Sequence, residues 1–243
     1  MKSVIIIPAR LDSTRLPGKP LADINGKPMI QWVYEACKKS DVEDVFVATD
    51  SVKVYDNVIQ FGGSAIMTGV CKTGTERVIE AVDKLLEEYE FIINVQGDEP
   101  TINPNDINDI LNLLKKEPQS VGTLVSKISK EERSDRNVVK AFTQGHQIVM
   151  FTRSPLYSDS PYFFRHLGTY GFSNVTLNNI KQLTSESENE KAESLEQLRW
   201  ADSNISFTCS ITESSFKGID TPDDLIKVRN LLKVLSIADD NNL

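Results

Sequence analysis

The chain has 243 residues, 40% of them hydrophobic and 26% charged, which fits one large soluble α/β domain or a domain carrying an insertion. With 35 acidic against 27 basic side chains its net charge is −8, which argues against broad nucleic-acid or anionic-membrane binding but leaves room for a local basic site. No apolar run approaches the about 20 residues of a membrane span, residues 1–20 lack the apolar core and small-residue cleavage site expected of a signal peptide, and Cys37, Cys71 and Cys209 indicate neither a disulfide framework nor a zinc site. A cytoplasmic location follows as the expectation.

Val4 to Ile7 form a short β-branched apolar run, the pattern of a strand buried on both faces of a parallel sheet. Pro8 ends it, and the following loop gathers Arg10, Arg15 and Lys19, the hydroxyls of Ser13 and Thr14, and Gly18. Cations so close together repel one another unless an anion sits among them, so the loop reads as a phosphate site, although it carries neither the Walker A nor the dinucleotide glycine pattern. Asn25-Gly26 predicts a turn, and Lys27-Pro28 opens a helix whose buried stripe includes Met29, Ile30, Val33 and Cys37. Val45 to Thr49 is the second strand, followed by a helix capped near Asp50-Ser51. After a short strand at Ser64 to Met67, Thr75 is expected to cap a helix running from Glu76 to about Tyr89. Phe91 to Val95 form the next strand, and a helix from about Pro104 to Lys116 completes the alternation.

The second half departs from that alternation. Val138 to Phe142 and Ile148 to Thr152 read as a hairpin, Arg165 to Phe172 as a strand, and Thr184 to Arg199 as one highly charged helix. Ile205 to Cys209 returns as a strand, Pro222 to Val234 forms a closing helix, and fraying is expected from about Asp239.

Asp98 and Glu99 follow the Phe91 to Val95 strand. In an open parallel sheet the carboxyl ends of the strands share a crevice, so an acid there could face the basic loop, and magnesium would relieve its repulsion from a bound phosphate. Asp220 reads equally as a helix cap or as a second metal ligand. His166, one of two histidines, and Glu196, Gln197 and Arg199 on the charged segment are by default structural or solvated.

Several segments taken together resemble one family. Ile7-Pro-Ala-Arg10, Ser13 to Leu21, Asn25 to Met29, Ala48-Thr-Asp50, Thr73-Gly-Thr-Glu-Arg77, Asn94 to Pro100, Val138-Val-Lys140, Arg165-His-Leu-Gly168, Leu195 to Arg199 and Asp220 to Asp224 match, in order, the motifs of the CMP-Kdo synthetases, the cytidylyltransferases of 3-deoxy-manno-octulosonate. The resemblance covers nearly the whole chain. It implies a doubly wound, mostly parallel α/β sheet of the Rossmann-like nucleotidyltransferase type with a smaller hairpin and helix dimerisation insertion. It further implies a single domain over 1–243, with 1–125 mainly binding CTP and about 135–205 binding sugar and forming a homodimer. The implied reaction joins CTP and Kdo to give CMP-Kdo and pyrophosphate, with Mg2+, for lipopolysaccharide or capsule synthesis, and involves neither nucleic acid nor membrane insertion. Positions matching the family's nucleotide contacts are Ala9, Arg10, Arg15, Lys19, Thr73, Gly74, Arg77 and Gln96. Arg10, Lys19 and Asp98 match catalytic positions, Asp98 and Asp220 metal positions, and Arg153, His166, Tyr170, Glu196 and Gln197 positions facing the sugar. The sequence departs from the family pattern at Ser154 to Pro161 and at Ser187 to Glu190, both beside the expected sugar pocket. Those departures keep open the same reaction on another acidic sugar, such as 8-amino-Kdo or another ulosonic acid. A catalytically silent nucleotide-binding protein is the alternative from a different class.

Overall fold

Strand and helix alternate through the first half, in the order β1 (Ser3–Pro8), β2 (Asp23–Ile24), β3 (Lys27–Pro28), α1 (Met29–Cys37), β4 (Asp44–Thr49), α2 (Val52–Gln60), β5 (Ala65–Met67), α3 (Gly74–Asp83), β6 (Phe91–Asn94) and α4 (Pro104–Lys116). There follow β7 (Val121–Lys127), α5 (Lys130–Ser134), β8 (Lys140–Gln144), β9 (Gln147–Thr152), β10 (Phe163–Ser173), α6 (Asn174–Lys181), α7 (Glu188–Glu193), α8 (Glu196–Asp202), β11 (Phe207–Thr212) and α9 (Pro222–Asp240). The computed structural model describes residues 2–13, 15–214 and 218–240. Thr14 of the basic loop, and residues 241–243 within the segment expected to fray, lie outside the described residues. Contacts group the chain into two compact units, one of Ile5–Leu86, Asn94–Pro104 and Phe216–Leu243, the other of Met1–Val4, Glu87–Ile93 and Asn105–Ser215.

In the first unit the strands neighbour one another in the order β5-β4-β1, with β4 and β5 parallel. Ile5, Ile6 and Ile7 of β1 are fully buried, as a strand covered on both faces requires. Asn25 (φ 53°) and Gly26 (φ 87°) both adopt the left-handed conformation of a two-residue hairpin turn, and this fixes β2 antiparallel to β3. Pro28 therefore ends β3 and α1 begins at Met29. The first turns of α9 place Leu225, Val228 and Leu232 in one apolar cluster with Ile24, Met29 and Ile219. The cap of α3 is Thr73 and not Thr75. Thr73 is extended (φ −124°, ψ 165°) and its hydroxyl accepts the Glu76 N–H at 3.1 Å, while Thr75 is buried inside the first turn. The same helix stops at Asp83 rather than near Tyr89, because beyond it Leu86 is fully exposed and no burial supports another turn.

In the second unit the strand order is β6-β10-β7-β11-β9-β8, and the N-terminal part of β10 also pairs with β8. The pairings β10-β7-β11-β9-β8 thus return to β10, so these strands satisfy one another without an open edge between β8 and β10. Orientation is mixed: β7 runs parallel to β11 but antiparallel to β10, and β8 and β9 form the expected hairpin with Gly145 (φ 65°) in its turn. Phe151, His166, Tyr170, Phe172, Trp200 and Phe207 pack ring against ring, with centroids 4.9–6.2 Å apart.

Two expectations for this half are corrected and one central element was not foreseen. The helix expected over Thr184 to Arg199 is two short helices, broken at Ser194 (φ 54°), where Glu193 bonds to β9 instead of continuing a helical face. The segment after it, α8, runs on to Asp202. The strand β7, flanked on both sides in the sheet, reads Val-Gly-Thr-Leu-Val-Ser-Lys and carries too few large apolar residues to stand out. Its Thr123 is fully buried because its hydroxyl donates to the Thr169 carbonyl at 2.8 Å. No described helix is long and apolar enough to cross a membrane.

Gly171 marks a close approach within this unit. A Cβ there would stand 2.4 Å from Ile110 Cγ2 and 2.8 Å from Leu114 Cδ1 of α4. Gly171→Ala should lower the unfolding free energy by about 1–3 kcal/mol, the usual cost of overpacking, with little change in the urea m-value. Unchanged stability in urea titrations would contradict so tight a contact.

Candidate active site

The residues with the strongest charge pattern in the sequence meet in the first unit. Ala9 leaves β1 with its N–H bonded to the Ala48 carbonyl at 2.8 Å, which fixes the start of the basic loop. Gly18 (φ 68°) turns that loop into the short 3-10 segment Lys19–Leu21, so Lys19 points inward with its side chain only 13% exposed. Its ammonium donates to Asp98 Oδ2 at 2.5 Å and to Asp220 Oδ1 at 3.1 Å, and Arg15 Nη2 reaches the same Asp220 oxygen at 3.1 Å.

Two glycines make room for this arrangement. A Cβ on Gly97 would meet the Pro8 carbonyl oxygen at 2.9 Å, and one on Gly218 would meet Asp98 Oδ1 at 3.2 Å. The Ile219 N–H donates to the Asp98 carbonyl at 3.0 Å and Ile219 is fully buried, so Asp220 is delivered beside Asp98 by main-chain and core contacts. The cap of α9 is supplied by other groups. Asp224 Oδ2 accepts the N–H groups of Asp220 and Thr221 at 3.3 and 3.0 Å, and the Thr221 hydroxyl accepts the Asp224 N–H at 3.2 Å. The carboxylate of Asp220 is thereby left to face cations. Both carboxylates contact one ammonium, and such an all-oxygen pair with a positive charge held between its members suits a hard divalent cation.

The whole nucleotide set, Ala9, Arg10, Arg15, Lys19, Thr73, Gly74, Arg77 and Gln96, lines one cavity of about 380 Å³ together with Asp98 and Asp220. Cys71 and Lys72, which carry no signal in the sequence, also line it. Arg77 differs from the other cations. It is 3% exposed and its guanidinium donates to Asp50 Oδ2 at 2.8 Å, to Thr68 Oγ1 at 2.5 Å and to the Gly69 carbonyl at 3.3 Å. Glu76 and Glu80 accept from the N–H groups of Lys72 and Gly69, so three side chains of α3 hold the 68–73 loop. Burial and the neighbouring Glu80 push the Cys71 thiol up to about 11, which keeps it protonated at neutral pH. Gln96 Nε2 donates to Asn94 Oδ1 at 3.3 Å.

The sugar set lies in the second unit. His166 and Tyr170 are neighbours in the aromatic cluster, 8% and 5% exposed, with ring centroids 5.4 Å apart. Gln197 is buried and Glu196 half-buried in the first turn of α8. Burial raises the Tyr170 hydroxyl well above its ordinary pKa, with the Glu196 charge adding to that shift and Arg153 opposing it, so both charges act on the ring. Arg153 spends its Nε on the Glu193 carbonyl at 3.1 Å and its Nη1 on the Asn137 carbonyl at 3.2 Å.

A family model described as cytidylyltransferase matches residues 4–207. The chain belongs to the cytidylyltransferase family. It is 41% identical to the 3-deoxy-manno-octulosonate cytidylyltransferase of Thermodesulfovibrio yellowstonii over 97% of this chain and 100% of that one. It is 42% identical to the Escherichia coli protein of the same name, over 95% and 96%. Among solved structures, CMP:2-keto-3-deoxy-manno-octonic acid synthetase complexed with CTP superimposes with a TM-score of 0.90 at 41% identity, covering 96% of this chain and 99% of that one. The nucleotidyltransferase α/β fold expected from the sequence is the fold of this cytidylyltransferase.

His166 has a definite protonation state in this cytidylyltransferase. Thr123 Oγ1 donates its one proton to the Thr169 carbonyl, so it accepts from His166 Nε2 at 3.0 Å and the imidazole carries its proton on Nε2. Burial lowers the His166 pKa to about 3. The unfolded chain, with an ordinary histidine pKa of about 6.5, binds a proton that the native state refuses, so this group removes stability as pH falls from about 6.5 towards 3 and contributes nothing above that range. Relative to His166→Gln, the wild type should lose about 1.4 kcal/mol per pH unit between pH 6 and 4 in urea titrations. Parallel pH profiles for the two proteins would show that the imidazole takes up its proton in the native state.

Proposed function

We propose that this chain transfers the cytidylyl group of CTP to the anomeric hydroxyl of 3-deoxy-manno-octulosonate and releases pyrophosphate. The sugar oxygen forms a bond to the α-phosphorus, the bond from that phosphorus to the bridging oxygen of the β-phosphate breaks, and the hydroxyl proton leaves. The observation that carries the reading is the shared Lys19 ammonium between Asp98 and Asp220 on the wall of a nucleotide-sized cavity. A silent nucleotide binder would have no need to hold two carboxylates and three cations together there.

Arg10 and Arg15 are exposed on the loop and suit the phosphate oxygens and the charge that grows on leaving pyrophosphate. Asp98 and Asp220 would hold Mg2+, and Lys19 would then be available to phosphate oxygens. Bound Mg2+ would neutralise phosphate charge and polarise the α-phosphate. The residues fit that ion, because the pair already accommodates a cation and offers only oxygen donors. Arg77 forms the floor of the cavity and keeps the 68–73 loop in place.

Arg153 takes the sugar carboxylate, and His166, Tyr170, Glu196 and Gln197 line the sugar side. His166, neutral at pH 7, acts there by shape and hydrogen bonding and not as an acid or base. A homodimer through residues of the 135–205 region is supported by the exposed Val149, Met150, Tyr157 and Tyr162, and the reaction belongs in the cytoplasm, where CTP is made available to glycan synthesis.

Pyrophosphate release should require CTP, Mg2+ and Kdo together, and a chelator should abolish it. Lys19→Ala and Asp98→Asn should each lower kcat by about a hundredfold or more, the cost of one preorganised charge at a transition state. Release with CTP and a different ulosonic acid would move the sugar assignment alone, whereas no release with any triphosphate and acidic sugar would leave a nucleotide-binding protein.

A further inference from the structure

Lys140 is a complete burial of charge that the reaction does not explain. It opens β8 between Thr152 of β9 and Arg165 of β10, and its side chain is 0% exposed. Among the described residues no carboxylate forms an ion pair with it, although the Asp135 and Glu193 charges act on it. Its ammonium donates to two main-chain carbonyls, Asp135 at 2.5 Å and Arg153 at 3.0 Å. A buried ammonium is expensive to desolvate, and a methionine would fill the same space without that cost. What a methionine could not do is satisfy those two carbonyls.

The carbonyl of Arg153 is one side of a clamp. Its N–H donates to Glu193 Oε2 at 2.8 Å, and Glu193 Oε1 accepts from the Thr152 hydroxyl at 2.8 Å. Both polar groups of the Arg153 main chain are therefore fixed by buried or half-buried side chains from other elements. With Nε and Nη1 bonded to carbonyls, Nη2 is the corner of the guanidinium that makes no hydrogen bond to described residues. The burial of Lys140 lowers its pKa, with Arg153 and Arg136 pushing the same way against Asp135 and Glu193, in keeping with an ammonium held in place by geometry and not by solvent.

We propose that Lys140 is a positioning residue of the sugar side: through the Arg153 carbonyl it fixes the direction in which the free corner of the Arg153 guanidinium is offered to the substrate carboxylate. The proposal rests on the assignment of Arg153 to that carboxylate, and it places Lys140 itself out of reach of substrate. Charge on Lys140 then matters to the binding of one substrate only.

The test compares wild type, Lys140→Met and Arg153→Ala by amide hydrogen exchange across residues 151–155 and by KM for each substrate in pyrophosphate release. Lys140→Met should speed exchange at Arg153 at least tenfold, raise KM for the sugar acid tenfold or more, and leave KM for CTP within twofold. Unchanged exchange at Arg153, or equal rises in both KM values, would overturn the proposal. If Arg153→Ala leaves the sugar KM unchanged, the carboxylate assignment falls, and the sugar direction of this proposal falls with it; faster exchange in Lys140→Met would then support the clamp alone. Should Lys140→Met fail to fold, Lys140→Gln, whose stem is one bond shorter and cannot hold both carbonyls at hydrogen-bond distance, is read by the same criteria.

Discussion

The charged cavity of the first unit depends on a single ammonium. Lys19 contacts oxygens of both Asp98 and Asp220, so the two carboxylates lie within a few ångström of each other and would repel strongly in the absence of a cation. The three residues come from the loop after β1, the turn after β6 and the start of α9, far apart in the chain. Bringing them together needs the apolar cluster of α9 against Ile24 and Met29, the main-chain bond from Ile219 to Asp98, and the absence of side chains at Gly97 and Gly218. Each of these would be an ordinary packing detail elsewhere. Here they set where charge stands.

The cations of the cavity fall into two kinds. Arg10 and Arg15 are exposed on the basic loop, whereas Arg77 is buried and already saturated by Asp50, Thr68 and Gly69. A buried guanidinium with a carboxylate partner and two neutral acceptors is a rigid element, and it makes the 68–73 loop a preformed wall. Preformed walls lower the ordering cost of binding a flexible triphosphate.

In the second unit, burial decides the chemistry of the polar groups. His166 is held neutral, Tyr170 is held protonated, and Lys140 is held against carbonyls, all inside strands whose pairings return to β10. A neutral imidazole and a phenol on an aromatic surface can bind a sugar through hydrogen bonds and ring faces without adding charge.

Much of this was written in the sequence. The apolar run of β1, the helix from Pro104 to Lys116, the Asn25-Gly26 turn and the clustering of Arg10, Arg15 and Lys19 follow from propensity, periodicity and like-charge proximity, which act over a few residues. The motif order from Ile7 to Asp224 carries the resemblance to the family without any tertiary contact. Tertiary structure alone removed the cap reading of Asp220, because only the fold shows that Thr221 and Asp224 cap α9 and leave its carboxylate to Lys19. It alone separated Arg77 from the exposed arginines, buried the small polar residues of β7, and broke the charged helix at Ser194. The physical reason is common to all four: the worth of a polar side chain is set by its partners and its distance from water, and those partners lie tens to hundreds of residues away along the chain.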